Sequence, residues 1–122
     1  MFFVLDDDQE RLEWFKSVLG PETDTASSVG DAIPKLRANN YELAFLDHDL
    51  ADSVNPDATG YQLAEVMNRE NLQISTPIII HSMNPVGADN IRRSLSRNHK
   101  NVVVVPYSVL KLRLSQRQQK DL

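Results

Sequence analysis

Short, unbroken apolar runs that stop on polar or acidic residues constrain this chain more than any other feature. Phe2-Phe3-Val4-Leu5 stops at Asp6-Asp7-Asp8, Leu43-Ala44-Phe45-Leu46 at Asp47-His48-Asp49, and Pro77-Ile78-Ile79-Ile80 at His81-Ser82. Such runs, too short for a helix and without polar alternation, mark strands buried on both faces. Residues 23–27 and 102–105 read as two further strands, the second halted by Pro106.

The intervening stretches carry a helical period. Residues 9–19 place Leu12, Phe15 and Leu19 on one stripe and end at Gly20-Pro21. A second helix is expected over 30–39, with Pro34 tolerated if Asp31 is the cap and the proline lies in the first turn. Leu63, Ala64 and Met67 mark a third helix over 60–71, and Ile91 and Leu95 a fourth after a loop at 82–86. Residues 108–120 give a fifth. The stretch 48–59 has no period and reads as a long loop, with Asn55, Pro56 and Asp57 as turn chemistry. Strands alternating with helices of this length are βαβ units. The expected fold is α/β: a doubly wound, five-stranded parallel sheet with helices on both faces.

A chain of 122 residues is the size of one compact domain, expected to span 1–122, and large enough to need no disulfide or zinc. It contains no cysteine, which excludes a thiol nucleophile and a thiolate metal site. The net charge of −4 argues against a broad basic face for nucleic acid. The apolar start meets three aspartates at once, too early for a signal peptide or a membrane span, so a cytoplasmic protein is expected.

Ligands of an open parallel sheet bind beyond the carboxyl ends of its strands, where the winding reverses. If the strand order is 2-1-3-4-5, the first and third strands are neighbours and their terminal carboxylates converge. Carboxylates held close together repel, and a hard divalent cation resolves the repulsion. Asp6, Asp7 and Asp47 are therefore candidate metal ligands, with Asp49 either a further ligand or a loop cap. Mg²⁺ is the expected cofactor, with Mn²⁺ as the alternative. Asp8 reads as the start of the first helix. His48 and His81 end adjacent strands and are candidate general base and acid. Ser82, Asn84 and the amides around Gly87, at a helix N-terminus, are candidate phosphate contacts. Against these stand plainer readings: strand alternation turns His48 away from Asp47 and separates His81 from Ser82. His99 and Trp14 are assigned no function.

The same residues carry a family resemblance that covers nearly the whole chain in order. Phe2-Phe3-Val4-Leu5-Asp6-Asp7-Asp8 resembles the start of a response-regulator receiver domain, where an acidic pair holds Mg²⁺. Phe45-Leu46-Asp47 resembles the segment that presents the phosphoacceptor aspartate. Thr59-Gly60-Tyr61 is similar to the opening of the third helix, and Pro77 to Ser82 to the fourth strand with its hydroxyl residue. The resemblance implies a flavodoxin-like, receiver topology with the strand order 2-1-3-4-5.

Three departures redirect the functional expectation. Receivers carry a lysine before a proline at the end of the fifth strand, and here Val105 precedes Pro106. The interval between Asp47 and Gly60 is longer than in receivers, and His48 and His81 are foreign to those places. Leu46-Asp47-His48-Asp49-Leu50 and Ile80-His81-Ser82-Met83-Asn84-Pro85-Val86-Gly87 instead resemble the cyclic-phosphate-processing receiver domains. That resemblance implies a metal-dependent phosphoesterase, or a binder of a cyclic or terminal phosphate on a nucleotide-like molecule. Asp47 would be a metal ligand or, less readily, a transient phosphate acceptor. The alternative is a degenerate receiver acting as a signalling module. Expected partners are a phosphate-bearing small molecule or nucleotide, nucleic acid only through a terminal phosphate, no membrane, and a second copy of the chain through the fourth and fifth elements. Val109, Leu110, Leu112 and Leu114 serve that interface or the core.

Overall fold

In the computed structural model, which describes residues 1–47, 60–82 and 85–120, the strands and helices alternate without exception. They are β1 (Phe2–Leu5), α1 (Gln9–Leu19), β2 (Asp24–Ala26), α2 (Val29–Ala38), β3 (Leu43–Leu46), α3 (Gly60–Glu70), β4 (Ile78–Ile80), α4 (Pro85–Leu95), β5 (Val102–Val104) and α5 (Tyr107–Lys120). All neighbouring strands pair in parallel, in the order β2-β1-β3-β4-β5, as the sequence predicts. The expected loop at 48–59 lies outside the described residues.

Strand alternation divides the core between two faces. Phe3, Leu5, Ala44, Leu46, Ile78 and Ile80 pack with α2, α3 and α4. Val4, Phe45 and Ile79 point the other way, onto Leu12 and Phe15 of α1 and Leu110 of α5. The central strands are apolar at every position because both faces are covered, whereas the edge strand β5 leaves Val103 half exposed. On α5, Leu110 is buried and Leu114 packs beside it, while Val109 and Leu112 are exposed.

The expected cap of α2 is corrected by the structure. Ser28, not Asp31, is the N-cap, and its Oγ accepts from the Asp31 amide at 3.1 Å. Helix α2 therefore starts earlier, at Val29, and Pro34 lies beyond the first turn. Its missing N–H and its ring disturb the helix on a side where both Pro34 and Gly30 are exposed, so solvent serves the carbonyl left over. A serine hydroxyl competes well with a carboxylate for the cap position, which is why a sequence holding both is ambiguous.

His99 is buried just beyond the end of α4. Its Nδ1 lies 3.0 Å from the Leu95 carbonyl at the end of α4, and its Nε2 lies 2.7 Å from the Leu72 carbonyl. Trp14 packs edge-on against Phe15 and Tyr107, as a packing aromatic does. Among the described residues, no helix is long and apolar enough to cross a membrane.

Candidate functional site

The sheet register assembles the site. Val4 pairs with Phe45, Phe45 with Ile79, and Ile79 with Val103. Two residues beyond this row stand Asp6, Asp47, His81 and Val105. The ladder carries on to reach them: Asp47 N donates to Leu5 O at 3.0 Å, His81 N to Leu46 O at 2.9 Å, and Val105 N to Ile80 O at 3.0 Å. Because side chains repeat every second residue, all four share the face of Val4, Phe45 and Ile79, under α1 and α5. One ligand atom each from Asp6, Asp47 and His81 falls within 4.8 Å of the others, and all three residues are buried. The cluster sits where the strand order reverses between β1 and β3, the place a doubly wound sheet offers to ligands.

A basic residue reaches into the cluster from the first turn of α1. Asp8 caps that helix, accepting from the Arg11 amide at 3.1 Å, which confirms Asp8 as the helix start. The Arg11 side chain turns back over the strand ends. Its Nε donates to Asp6 Oδ2 at 2.9 Å and its Nη2 to Asp6 Oδ1 at 2.9 Å. The same Nη2 lies 3.3 Å from Asp47 Oδ2 and 3.6 Å from Asp7 Oδ1. Arg11 Cζ stands 5.5 Å from the centre of the Tyr107 ring, a cation–π distance. A fork of donors on a planar carboxylate is the strongest arrangement open to an ion pair.

Asp6 is fully buried and accepts from the Asp8 amide at 2.9 Å as well as from Arg11. His81 Nε2 lies 2.9 Å from Asp6 Oδ2. Burial pushes the Asp6 carboxyl upward, but the hydrogen bonds from His81, Arg11 and the Asp8 amide outweigh it and hold the group below the usual carboxylate range. Burial also dominates at His81, pushing the imidazole below its ordinary value despite the pull of Asp6. The pair is thus a carboxylate and a neutral imidazole, with the Nε2 hydrogen donated to Asp6. Nδ1 then carries the lone pair, and it is buried with no hydrogen-bond partner among the described residues. The rings of Phe15, Phe45 and Tyr107 surround His81 at 5.1, 6.5 and 6.4 Å.

Of the residues expected at the site, Asp6, Asp47 and His81 are brought together. Asp7 stands at the rim, half-buried and facing Arg11. Ser82 is buried next to His81, and Gly87 is buried in the first turn of α4. The ladder continues through the His81 amide to Leu46 O, so His81 keeps the alternation of β4 and shares the face of Asp6 and Asp47. His48, Asp49 and Asn84 lie outside the described residues. Arg11 and Tyr107 were not expected. In the sequence Arg11 is one charge among several on an amphipathic helix, and only its place three residues after a cap, behind an acidic strand end, distinguishes it.

Two carboxylates and an imidazole with ligand atoms this close could hold a divalent cation, the oxygens favouring Mg²⁺ and the nitrogen better accepted by Mn²⁺.

Residues 1–97 match the family model described as "Cyclic-phosphate processing Receiver domain". No curated protein matches the chain. Among solved structures, it is similar to a two-component response regulator from Clostridium difficile, with a TM-score of 0.69 at 19% identity over 97% of this chain and 92% of that one. It is also similar to the response regulator TrrA from Thermotoga maritima in complex with Mg²⁺ and BeF, with a TM-score of 0.65 at 22% identity over 96% of each chain. The chemotaxis response regulator CheY4 of Vibrio cholerae gives a TM-score of 0.67 at 17% identity over 99% and 97%. At these identities the likeness establishes the receiver fold.

Proposed function

Because the chain belongs to the family of cyclic-phosphate processing receiver domains, we propose that its site holds a divalent cation and processes a cyclic or terminal phosphate on a nucleotide-like molecule. The observation that carries this reading is the convergence of Asp6, Asp47 and His81 at the ends of three adjacent strands. The Mg²⁺ and BeF bound by the Thermotoga maritima receiver lend the cation support from a protein of the same fold.

Asp6 and Asp47 are the residues proposed to hold the cation, with Asp7 and Asp49 as outer ligands. The bound cation supplies neutralisation of a phosphoryl oxygen or a water of lowered pKa. Opening a cyclic phosphate requires a base for the attacking water and an acid for the leaving oxygen. The neutral imidazole of His81 suits the base, and His48, one residue beyond Asp47, is the proposed proton partner. Ser82, Asn84 and the amides near Gly87 are proposed to hold phosphate oxygens, which agrees with the partial positive charge of a helix N-terminus.

The rival reading is a degenerate receiver that signals by docking, in which two copies pair through α4, β5 and α5 and cover Val103, Val109 and Leu112. It draws support from the receiver fold alone. Titration with Mg²⁺ and Mn²⁺ beside 2′,3′-cyclic and 3′,5′-cyclic nucleotides, with analysis of the products, separates the two. Turnover lost on His81→Ala in a folded protein supports the enzyme. Cation binding without turnover on any substrate supports the signalling module. No cation binding at millimolar concentration sinks the metal-dependent reading.

A further inference from the structure

The guanidinium of Arg11 stands on the oxygens that a cation would take. Both oxygens of Asp6 and Oδ2 of Asp47 accept from it, at 2.9 Å, 2.9 Å and 3.3 Å. A divalent cation on the same oxygens would face a positive charge at contact distance, and the carboxylates have too few directions left to serve both. We propose that Arg11 and the cation exchange places: cation binding releases the guanidinium from Asp6 and Asp47, and the released guanidinium becomes the positive group that holds the phosphate. The inference rests on the cation site proposed above and assigns Arg11 its part in it.

Three further observations carry it. The first is room to move. Arg11 sits in the first turn of α1 with its side chain 26% exposed, unlike the closed-in Asp6 and Asp47. The Tyr107 ring, 5.5 Å from Cζ, offers a face on which a guanidinium can rest without its carboxylates. The second is the missing charge. Val105 ends the register row of Asp6, Asp47 and His81 and packs as an apolar residue, so that row gives a phosphate no ammonium. Among the described residues, the cation that hydrogen-bonds to this row is Arg11. Its planar fork matches a phosphate as well as it matches a carboxylate. The third is His81 Nδ1, buried and without a hydrogen-bond partner among the described residues. The cluster therefore keeps a buried lone pair that its present contacts do not use.

The test compares wild type with Arg11→Gln and Arg11→Lys, using Mn²⁺ alone and then inorganic phosphate at saturating Mn²⁺, each read by calorimetry. A site that must first expel its own cation binds the metal more weakly by the fraction of time it is open. Arg11→Gln is expected to bind Mn²⁺ on the order of tenfold more tightly and phosphate on the order of tenfold more weakly, with Arg11→Lys between on both scales. Mn²⁺ affinity unchanged or lowered in Arg11→Gln, with wild type binding the metal, overturns the exchange and leaves the cation site standing. Unchanged phosphate affinity overturns the second half. Absence of Mn²⁺ binding in both folded proteins overturns the cation site and the exchange with it. Should Arg11→Gln fail to fold without metal, Arg11→Lys carries the same comparison, because an ammonium cannot fork across Asp6.

Discussion

His81 Nε2 meets Asp6 Oδ2 at 2.9 Å, joining the end of β4 to the end of β1 across the intervening strand β3. The imidazole is held neutral by burial and the carboxyl is held ionised by His81, Arg11 and the Asp8 amide. Both groups therefore bind protons less readily folded than unfolded. By linkage, the stability they contribute is present above their unfolded values and is lost as the pH falls. In chelator, the melting temperature should be level above neutrality and begin to fall below about pH 6.5, where the unfolded histidine protonates. A second fall should follow below about pH 3.9, where the unfolded Asp6 protonates. Scanning calorimetry across this range checks it. A melting temperature that rises between pH 7 and pH 5 would contradict the neutral imidazole.

Removing Asp6 tests the other side of the pair. Asp6→Asn strips the charge that holds Arg11 and His81 and leaves a buried amide among donors. Breaking a fully buried pair costs roughly 3–5 kcal/mol; with Arg11 a quarter exposed, about 2–4 kcal/mol is expected in urea unfolding. Asp47→Asn, whose contact to Arg11 is longer at 3.3 Å, should cost less, about 1–2 kcal/mol, while abolishing cation binding as fully as Asp6→Asn does. Equal destabilisation by the two substitutions would show that Arg11 is shared evenly, against the geometry.

How much of this was legible beforehand follows from which forces are local. The strands β1 and β3 are readable to the residue, because burial on both faces forces every position to be apolar and the first charge ends the run. The convergence of Asp6 and Asp47 follows from strand order, which the alternation of strands and helices leaves open and the resemblance to receivers supplies. Register is what the sequence withheld. Once Val4, Phe45, Ile79 and Val103 are known to share a row, the side chains two residues on must share a face, and His81 is chosen over Ser82 without further argument. The Arg11 contact depends on a rotamer over a tertiary surface, and the cap of α2 on two adjacent polar candidates. Neither leaves a periodic trace. The contact of His99 to Leu72 is equally silent: Leu72 lies in the turn after α3, and no local pattern announces it.

His99 separates stability from the site. Both ring nitrogens face carbonyl oxygens, at the C-terminal end of α4 and in the turn after α3, while the cluster of Asp6, Asp47 and His81 lies at the ends of β1, β3 and β4. His99→Leu keeps the volume roughly and leaves the part-buried Leu72 carbonyl without its ring partner. A loss of about 1–3 kcal/mol in urea unfolding is expected, with Mn²⁺ affinity unchanged in the folded protein. A His99→Leu variant of wild-type stability, or one with altered Mn²⁺ affinity, would contradict this division.

Val105→Lys asks whether the row can be turned back into a phosphate acceptor. Val105 follows β5 and packs partly buried against the α1 and α5 face, so a lysine there must thread its stem along that surface. The stem keeps part of the apolar contact, and the cost should stay near 1–2 kcal/mol. Its ammonium would join the row that already holds Asp6, Asp47 and His81. Wild type, lacking that charge, is expected to take no label on Asp47 from acetyl phosphate in the presence of Mg²⁺, as read by intact mass. Val105→Lys is expected to take a measurable fraction, because an acyl phosphate on Asp47 then has an ammonium beside it. The same added charge should weaken Mn²⁺ binding by several-fold, since it repels the cation at a few ångströms. Ready labelling of wild type would overturn the view that the row has given up phosphate acceptance, and would return Asp47 to the role of a receiver aspartate.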